Sequence, residues 1–171
     1  PIYRAFQIGD LADLIMLDTR LHGRDEQFIY ERDIARLGGP ETFVKDHLFD
    51  PNRTILGADQ ENWLGAQLAA SKDRGTTWQV IGQQVLMGKL VIPAVPDDVA
   101  AKMKAQLPDE YSDRLDVDGL KPLAEAKLPL NLDAWDGYPL CRERVHAAFK
   151  QLASNPVVLA GDTHNAWAFN M

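Results

Sequence analysis

Cysteine is almost missing from this chain. Cys141 is its only one in 171 residues, which excludes an internal disulfide and a metal site built from cysteines alone. Basic character is missing too. Lys and Arg total 18 against 25 Asp and Glu, for a formal charge of -7. No nucleic acid or anionic membrane is therefore expected as a stable partner, although a metal or a local arginine can still invert the field where a phosphate binds. Long hydrophobic runs are absent: the apolar segments fall far short of a bilayer span, and no signal peptide is visible. The chain has no nucleophile-elbow serine, no glycine-rich phosphate loop, no paired-cysteine zinc motif, no internal repeat and no low-complexity segment. What is present is an ordinary globular composition, 46% hydrophobic and 25% charged, sufficient for one domain with a core.

Five segments carry a clear period. Ala12 to Asp18, "ADLIMLD", is a short apolar run of the kind a strand buried on both faces shows. Asp59 to Lys72 reads as a helix with Asp59 at its N-cap and Trp63, Leu64, Leu68 and Ala69 as its apolar stripe. Trp78 to Leu86 is β-branched and aromatic, a strand with Gly82 near a bend. Pro139 to Ser154 is a helix opened by proline, with Val145, Ala148, Phe149 and Leu152 at helical spacing. Pro156 resets the chain, and Val157 to Ala160 is a third strand. The fold class is α/β: the β-α-β-α-β order argues for a parallel sheet with right-handed crossovers. Ile2 to Gln7 reads as extended. Two long stretches interrupt the pattern. Residues 22 to 56 are polar and can hold short helices; residues 88 to 136 are proline-rich, with a helix expected near Asp109 to Gly119. Loops of this length usually build a binding surface.

In an open α/β sheet, ligands bind beyond the carboxyl ends of the strands. The first strand is followed by Asp18, Arg20, His22, Arg24 and Asp25, the second by Gln83 and Gln84, and the third by Asp162, His164 and Asn165. A parallel sheet puts all three sets on one edge. Asp, His and Asn are ligand types for zinc, manganese, iron or calcium, and Arg20 has the planar fork that suits a phosphate or carboxylate. Blander readings stand beside these. Asp162 can be only a turn former and His164 a hydrogen-bonded structural residue. Asp18-Thr19-Arg20 can be a buried ion pair tying strand to loop. Trp135 to Tyr138 reads as a packed aromatic turn, Gln60 and Trp63 as residues fixing a helix on the sheet, and Cys141 as a small helix-face residue rather than a nucleophile.

Five stretches, "GDLADLIMLDTRLHGRD" (9–25), "ILGADQENWL" (55–64), "WQVIGQQVLM" (78–87), "NLDAWDGYPLCRERV" (131–145) and "VVLAGDTHNAWAF" (157–169), together resemble the alkaline phosphatase D (PhoD-like) family. The resemblance implies a calcineurin-like metallophosphoesterase, an αββα sandwich of two sheets packed face to face. It implies hydrolysis of phosphate monoesters and diesters by a metal-bound hydroxide, with small phosphate esters as substrates and iron and calcium at the site. It also implies a secreted or periplasmic parent protein. The Gly-His-x-His motif of related enzymes matches Gly161-Asp162-Thr163-His164, so Asp162 is the best-supported ligand, followed by His164 and Asn165. Arg20 is the candidate for stabilising phosphoryl charge by its position, and His164 the second catalytic candidate. The family's earlier metal motifs fall upstream of Pro1. Residues 1–171 are accordingly expected to be one domain, an incomplete C-terminal portion of the catalytic domain, inactive without the remainder of that domain. The alternative is a non-catalytic α/β binding module that keeps the fold without a complete metal site.

Overall fold

The structure, a computed structural model, describes residues 2–108 and 117–170. The chain divides into two compact units, Pro1–Gly88 with Leu132–Met171, and Lys89–Asn131. Its strands are β1 (Arg4–Ile8), β2 (Ala12–Met16), β3 (Trp78–Gly82) and β4 (Pro156–Leu159). Its helices are α1 (Tyr30–Arg36), α2 (Gly57–Asp73), α3 (Asp97–Gln106), α4 (Val117–Glu125) and α5 (Pro139–Leu152). Among the described residues there is no helix long and apolar enough to cross a membrane.

The larger unit is built on one sheet in the order β1-β2-β3-β4. β2, β3 and β4 run parallel, and α2 and α5 lie in the connections that separate them. The sheet is mixed rather than wholly parallel, because the segment read as merely extended folds back as β1 against β2. Gly9, at φ +57°, makes that reversal accessible, and Leu11 N donates to Ile8 O across it at 3.2 Å. β2 and β3 also stop earlier than their apolar runs. Leu17 N still reaches Gly82 O at 2.9 Å, but Asp18 N turns to the Gln60 side chain at 2.7 Å, and the ladder ends there.

Helix α2 starts before Asp59. Thr54 Oγ1 accepts from Leu56 N at 3.1 Å and Gly57 N at 2.9 Å, so Thr54 performs the capping expected of Asp59, which sits in the first turn. At this point the loop after β2 crosses the helix start. Gly23 and Gly57 both have positive φ, and a Cβ on either would lie 2.8 Å or less from the other segment's backbone. The segment expected to hold short helices contains α1, a helical turn at Pro40–Thr42 and a π-helical run at Phe43–Leu48. Phe43, Leu48 and Leu132 form a satellite cluster there.

Strand register sorts the sheet into two unlike faces. Ile15, Ile81 and Val158 are in register on one face and join Leu64, Leu68, Val145 and Phe149 in the main core. On the other face Phe6, Leu14, Val80 and Val157 are in register. Phe6, Ile8, Trp78, Val157 and Leu159 remain 37–54% exposed. This side is apolar and open, which is unusual for a finished soluble surface.

In the smaller unit the chain ends are tied by Ile92 N to Leu128 O and Leu130 N to Leu90 O, both 2.9 Å. Lys121 meets Asp97 at 2.8 Å. Of the helix expected near Asp109 to Gly119, residues 109–116 lie outside the described residues; Val117 to Gly119 open α4.

Buried carboxylates make this fold acid-sensitive. Asp33 is fully buried. The Arg32 guanidinium, against the cost of burial and with help from Ile29 N and Arg36, holds its carboxyl far below the ordinary range. Asp18 is also held low: burial opposes its charge, but the N–H groups of Leu21, Arg20 and His22 outweigh it. Carboxyls depressed in the folded state contribute fully above the ordinary value of about 4, and that stability drains as pH falls through the lowered values. Urea midpoints are therefore expected to be flat from about pH 5 upward and to fall steeply below about pH 4, with a shallower acid limb in Asp18→Asn.

Candidate functional site

The candidate residues lie where β2, β3 and β4 end. Asp18 is 3% exposed and does not pair with the Arg20 guanidinium. Its carboxylate instead organises the loop backbone: Oδ1 accepts from Arg20 N at 2.9 Å and Leu21 N at 3.0 Å, and Oδ2 from His22 N at 3.0 Å. Asx-type bonding of this kind replaces the strand ladder with a fixed turn. Gln60, buried on α2, closes the other side by donating to Asp18 O at 2.9 Å while accepting from Asp18 N. From the end of β3, Gln84 Oε1 accepts from Thr19 N at 2.7 Å and Thr19 Oγ1 at 2.6 Å, and Gln84 Nε2 donates to Leu17 O at 2.9 Å. Gln83 faces the other way and accepts from the indole of the fully buried Trp135 at 3.1 Å.

This scaffold aims Arg20 out of the loop. Its Nη2 donates to Asp162 Oδ1, beyond β4, at 2.8 Å, and its Nη1 to Asp133 Oδ2 at 2.5 Å. Burial works against the Arg20 charge, but Asp133 and Asp162 more than offset it and raise the guanidinium above its ordinary value. Arg24 completes the cluster, with Nη2 on Asp133 Oδ1 at 2.6 Å and Nη1 on Thr19 O at 2.8 Å. Beyond β4 the chain turns sharply, with Asp162 at φ +76° and His164 at φ +56°. Asp tolerates the left-handed region better than most residues, and His is enriched there.

The structure thus joins Arg20 to Asp162 by an ion pair, and shows no such bond from His164 or Asn165 to either among the described residues. His164 is exposed, and Asn165 Oδ1 accepts from Trp167 Nε1 at 2.6 Å. Among the described residues no three His, Cys, Asp or Glu side chains converge as a cation site. Asp162, His164 and Asn165 have suitable donor chemistry but are not a complete coordination set by themselves. Cys141 is buried between Thr54 and Glu61, and burial pushes its thiol up to about 11, so it is not a nucleophile at neutral pH. Asp133 escaped the sequence reading. It lies two residues before the Trp135 to Tyr138 turn that was read as aromatic packing, and the one cue was a carboxylate there in a chain with two arginines after its first strand.

The arginine–carboxylate cluster lies at the carboxyl edge of parallel strands, the place where open α/β sheets bind ligands. Comparison with known proteins narrows this class. The family model for PhoD-like phosphatase matches residues 1–171. The chain is 33% identical over 171 residues to alkaline phosphatase D of Bacillus subtilis (strain 168), covering 99% of this chain and 22% of that relative. The chain belongs to the PhoD-like phosphatase family. No solved structure matches it.

Proposed function

We propose that the protein carrying this chain hydrolyses phosphate esters, and that the edge formed by Arg20, Asp162, His164 and Asn165 is this chain's part of the active site. The observation that carries the reading is the Arg20–Asp162 contact, which links the carboxyl ends of β2 and β4. A guanidinium placed there can donate to a phosphoryl oxygen and stabilise the charge that grows on it in the transition state. Asp162, His164 and Asn165 are the donors proposed for a cation of the iron or calcium type, with zinc or manganese as alternatives. Further donors come from the remainder of the catalytic domain. Such a cation supplies Lewis acidity and lowers the pKa of water. If His164 is not a metal donor, its exposed imidazole is the second catalytic candidate, as a group that exchanges a proton with the substrate or with water.

The apolar open face of the sheet supports the αββα arrangement. A second sheet from the rest of the protein would pack on Phe6, Leu14, Val80 and Val157 and cover them. The polypeptide 1–171 alone is accordingly expected to bind a hydrophobic dye and self-associate, whereas the full-length protein stays monodisperse, as light scattering would show. A monomeric, dye-silent polypeptide would overturn the second-sheet proposal.

The test of function is turnover by the full-length protein. Hydrolysis of p-nitrophenyl phosphate or bis(p-nitrophenyl) phosphate is expected, with loss on chelation and return on adding iron and calcium. Absence of turnover with every metal and both esters would favour a binding module.

A further inference from the structure

We propose that Asp133 is a positioning residue that presents Arg20 to the phosphoryl group, with Arg24 as its buried anchor. This rests on the proposal that Arg20 contacts phosphate. The two oxygens of Asp133 are divided between two arginines: Oδ2 takes Arg20 at 2.5 Å and Oδ1 takes Arg24 at 2.6 Å. The arginines are not equivalent. The Arg24 side chain is 9% exposed against 34% for Arg20. Among the described residues Arg24 is also held by Thr19 O at 2.8 Å, by Asp133 O at 2.9 Å and over the Tyr138 ring at 5.1 Å. Arg24 is therefore committed to the protein, and Arg20 is the cation that faces outward.

Charge follows the same division. Arg24 offsets Asp133, so Arg20 faces one uncompensated carboxylate, that of Asp162, rather than two. Without Arg24, the pair Asp133 and Asp162 would outweigh Arg20 and repel an anion. Position is controlled as well. Asp133 sits beside a closely packed backbone approach, where a Cβ on Gly137 would lie 1.9 Å from Leu132 O. A carboxylate anchored by Arg24 and holding one guanidinium nitrogen by a short charge-assisted bond limits the directions open to the long Arg20 side chain. A phosphoryl oxygen that reaches the exposed part of the guanidinium then meets an arginine that is still held through Nη1.

The test uses the full-length protein with p-nitrophenyl phosphate as substrate and inorganic phosphate as inhibitor. Asp133→Asn is expected to weaken phosphate inhibition and lower kcat/KM by about 10- to 100-fold, since a misplacement near 1 Å can cost about 100-fold. Asp133→Glu, which keeps the charge on a longer stem, is expected to recover part of that loss. Arg20→Ala is expected to lose at least as much, and the double variant Arg20→Ala/Asp133→Asn no more than Arg20→Ala. That non-additivity is the signature of a residue acting through Arg20; a merely structural role would multiply the losses. Unchanged phosphate inhibition in Asp133→Asn, with Arg20→Ala impaired, overturns the positioning role alone. Unchanged inhibition in Arg20→Ala overturns the phosphate-contact reading beneath it. If Asp133→Asn lowers the urea midpoint, Asp133→Glu decides: a shifted inhibition constant at an unshifted midpoint supports the proposal, and the reverse overturns it.

Discussion

Asp162→Asn in the full-length protein is expected to lower kcat/KM toward phosphate esters by more than about 100-fold, while the urea midpoint stays close to that of the parent protein. The amide is nearly the same shape as the carboxylate and tolerates the left-handed backbone found at this residue, φ +76°. The substitution therefore removes charge and leaves the turn. The charge has two uses in the proposed site: it is the anionic donor to a cation, and it faces Arg20 Nη2 at 2.8 Å. Outer residues that only orient a metal ligand cost about 10- to 100-fold when changed, and a direct ligand should exceed that range. The turn-former reading makes the opposite forecast. On that reading Asp162→Asn and Asp162→Gly both keep activity, and Asp162→Ala loses stability by about 1–2 kcal/mol, because Ala is strained at positive φ. Activity and urea midpoints measured across Asn, Gly and Ala thus separate the two: lost activity in all three assigns the charge to the site, and retained activity with only the Ala midpoint lowered assigns the residue to the turn.

The sheet core was legible because its signals are local. Short apolar runs, a stripe on α2, and prolines opening α5 and β4 placed β2, β3 and β4 correctly and put their carboxyl ends on one edge. β1 was legible only as extended chain, since antiparallel pairing depends on what Gly9 allows rather than on a pattern within Arg4–Ile8. The helix start at Gly57 was misread because Asp59 is the better cap by type, while Thr54 is the better placed by the crossing of Gly23 and Gly57. The same limit applies at the site. Asp18, Arg20 and Asp162 follow strands and could be listed from the sequence. That Asp18 would spend its carboxylate on three backbone N–H groups, leaving Arg20 to reach across to Asp162, depends on side-chain direction. Asp133 is 113 residues from Arg20 in the chain, and only the fold of the 132–137 turn brings them together.

That turn is also where the largest single loss of stability is expected. Asp136 and Arg142 are 3% and 7% exposed and form an ion pair joining the Trp135–Gly137 turn to α5. Arg142 has a second, longer contact to Met87 O at 3.4 Å, which cannot replace a carboxylate. Asp136→Ala leaves a buried guanidinium without its counter-charge and is expected to cost about 3–5 kcal/mol. The pair itself is worth far less than that, because burying both charges carries a desolvation cost that their attraction largely repays. Replacing both by apolar residues, as in Asp136→Leu/Arg142→Met, is therefore expected to recover most of the loss. Urea unfolding of Asp136→Leu, Arg142→Met and the double variant that combines them measures the coupling directly. Additive losses would mean that each side chain is held by its other neighbours and that the ion pair does not fix the turn. A double variant more stable than either single would show that it does. Phosphate inhibition on that double variant would then report whether the turn still delivers Asp133 to Arg20 once its own ion pair has been replaced by packing.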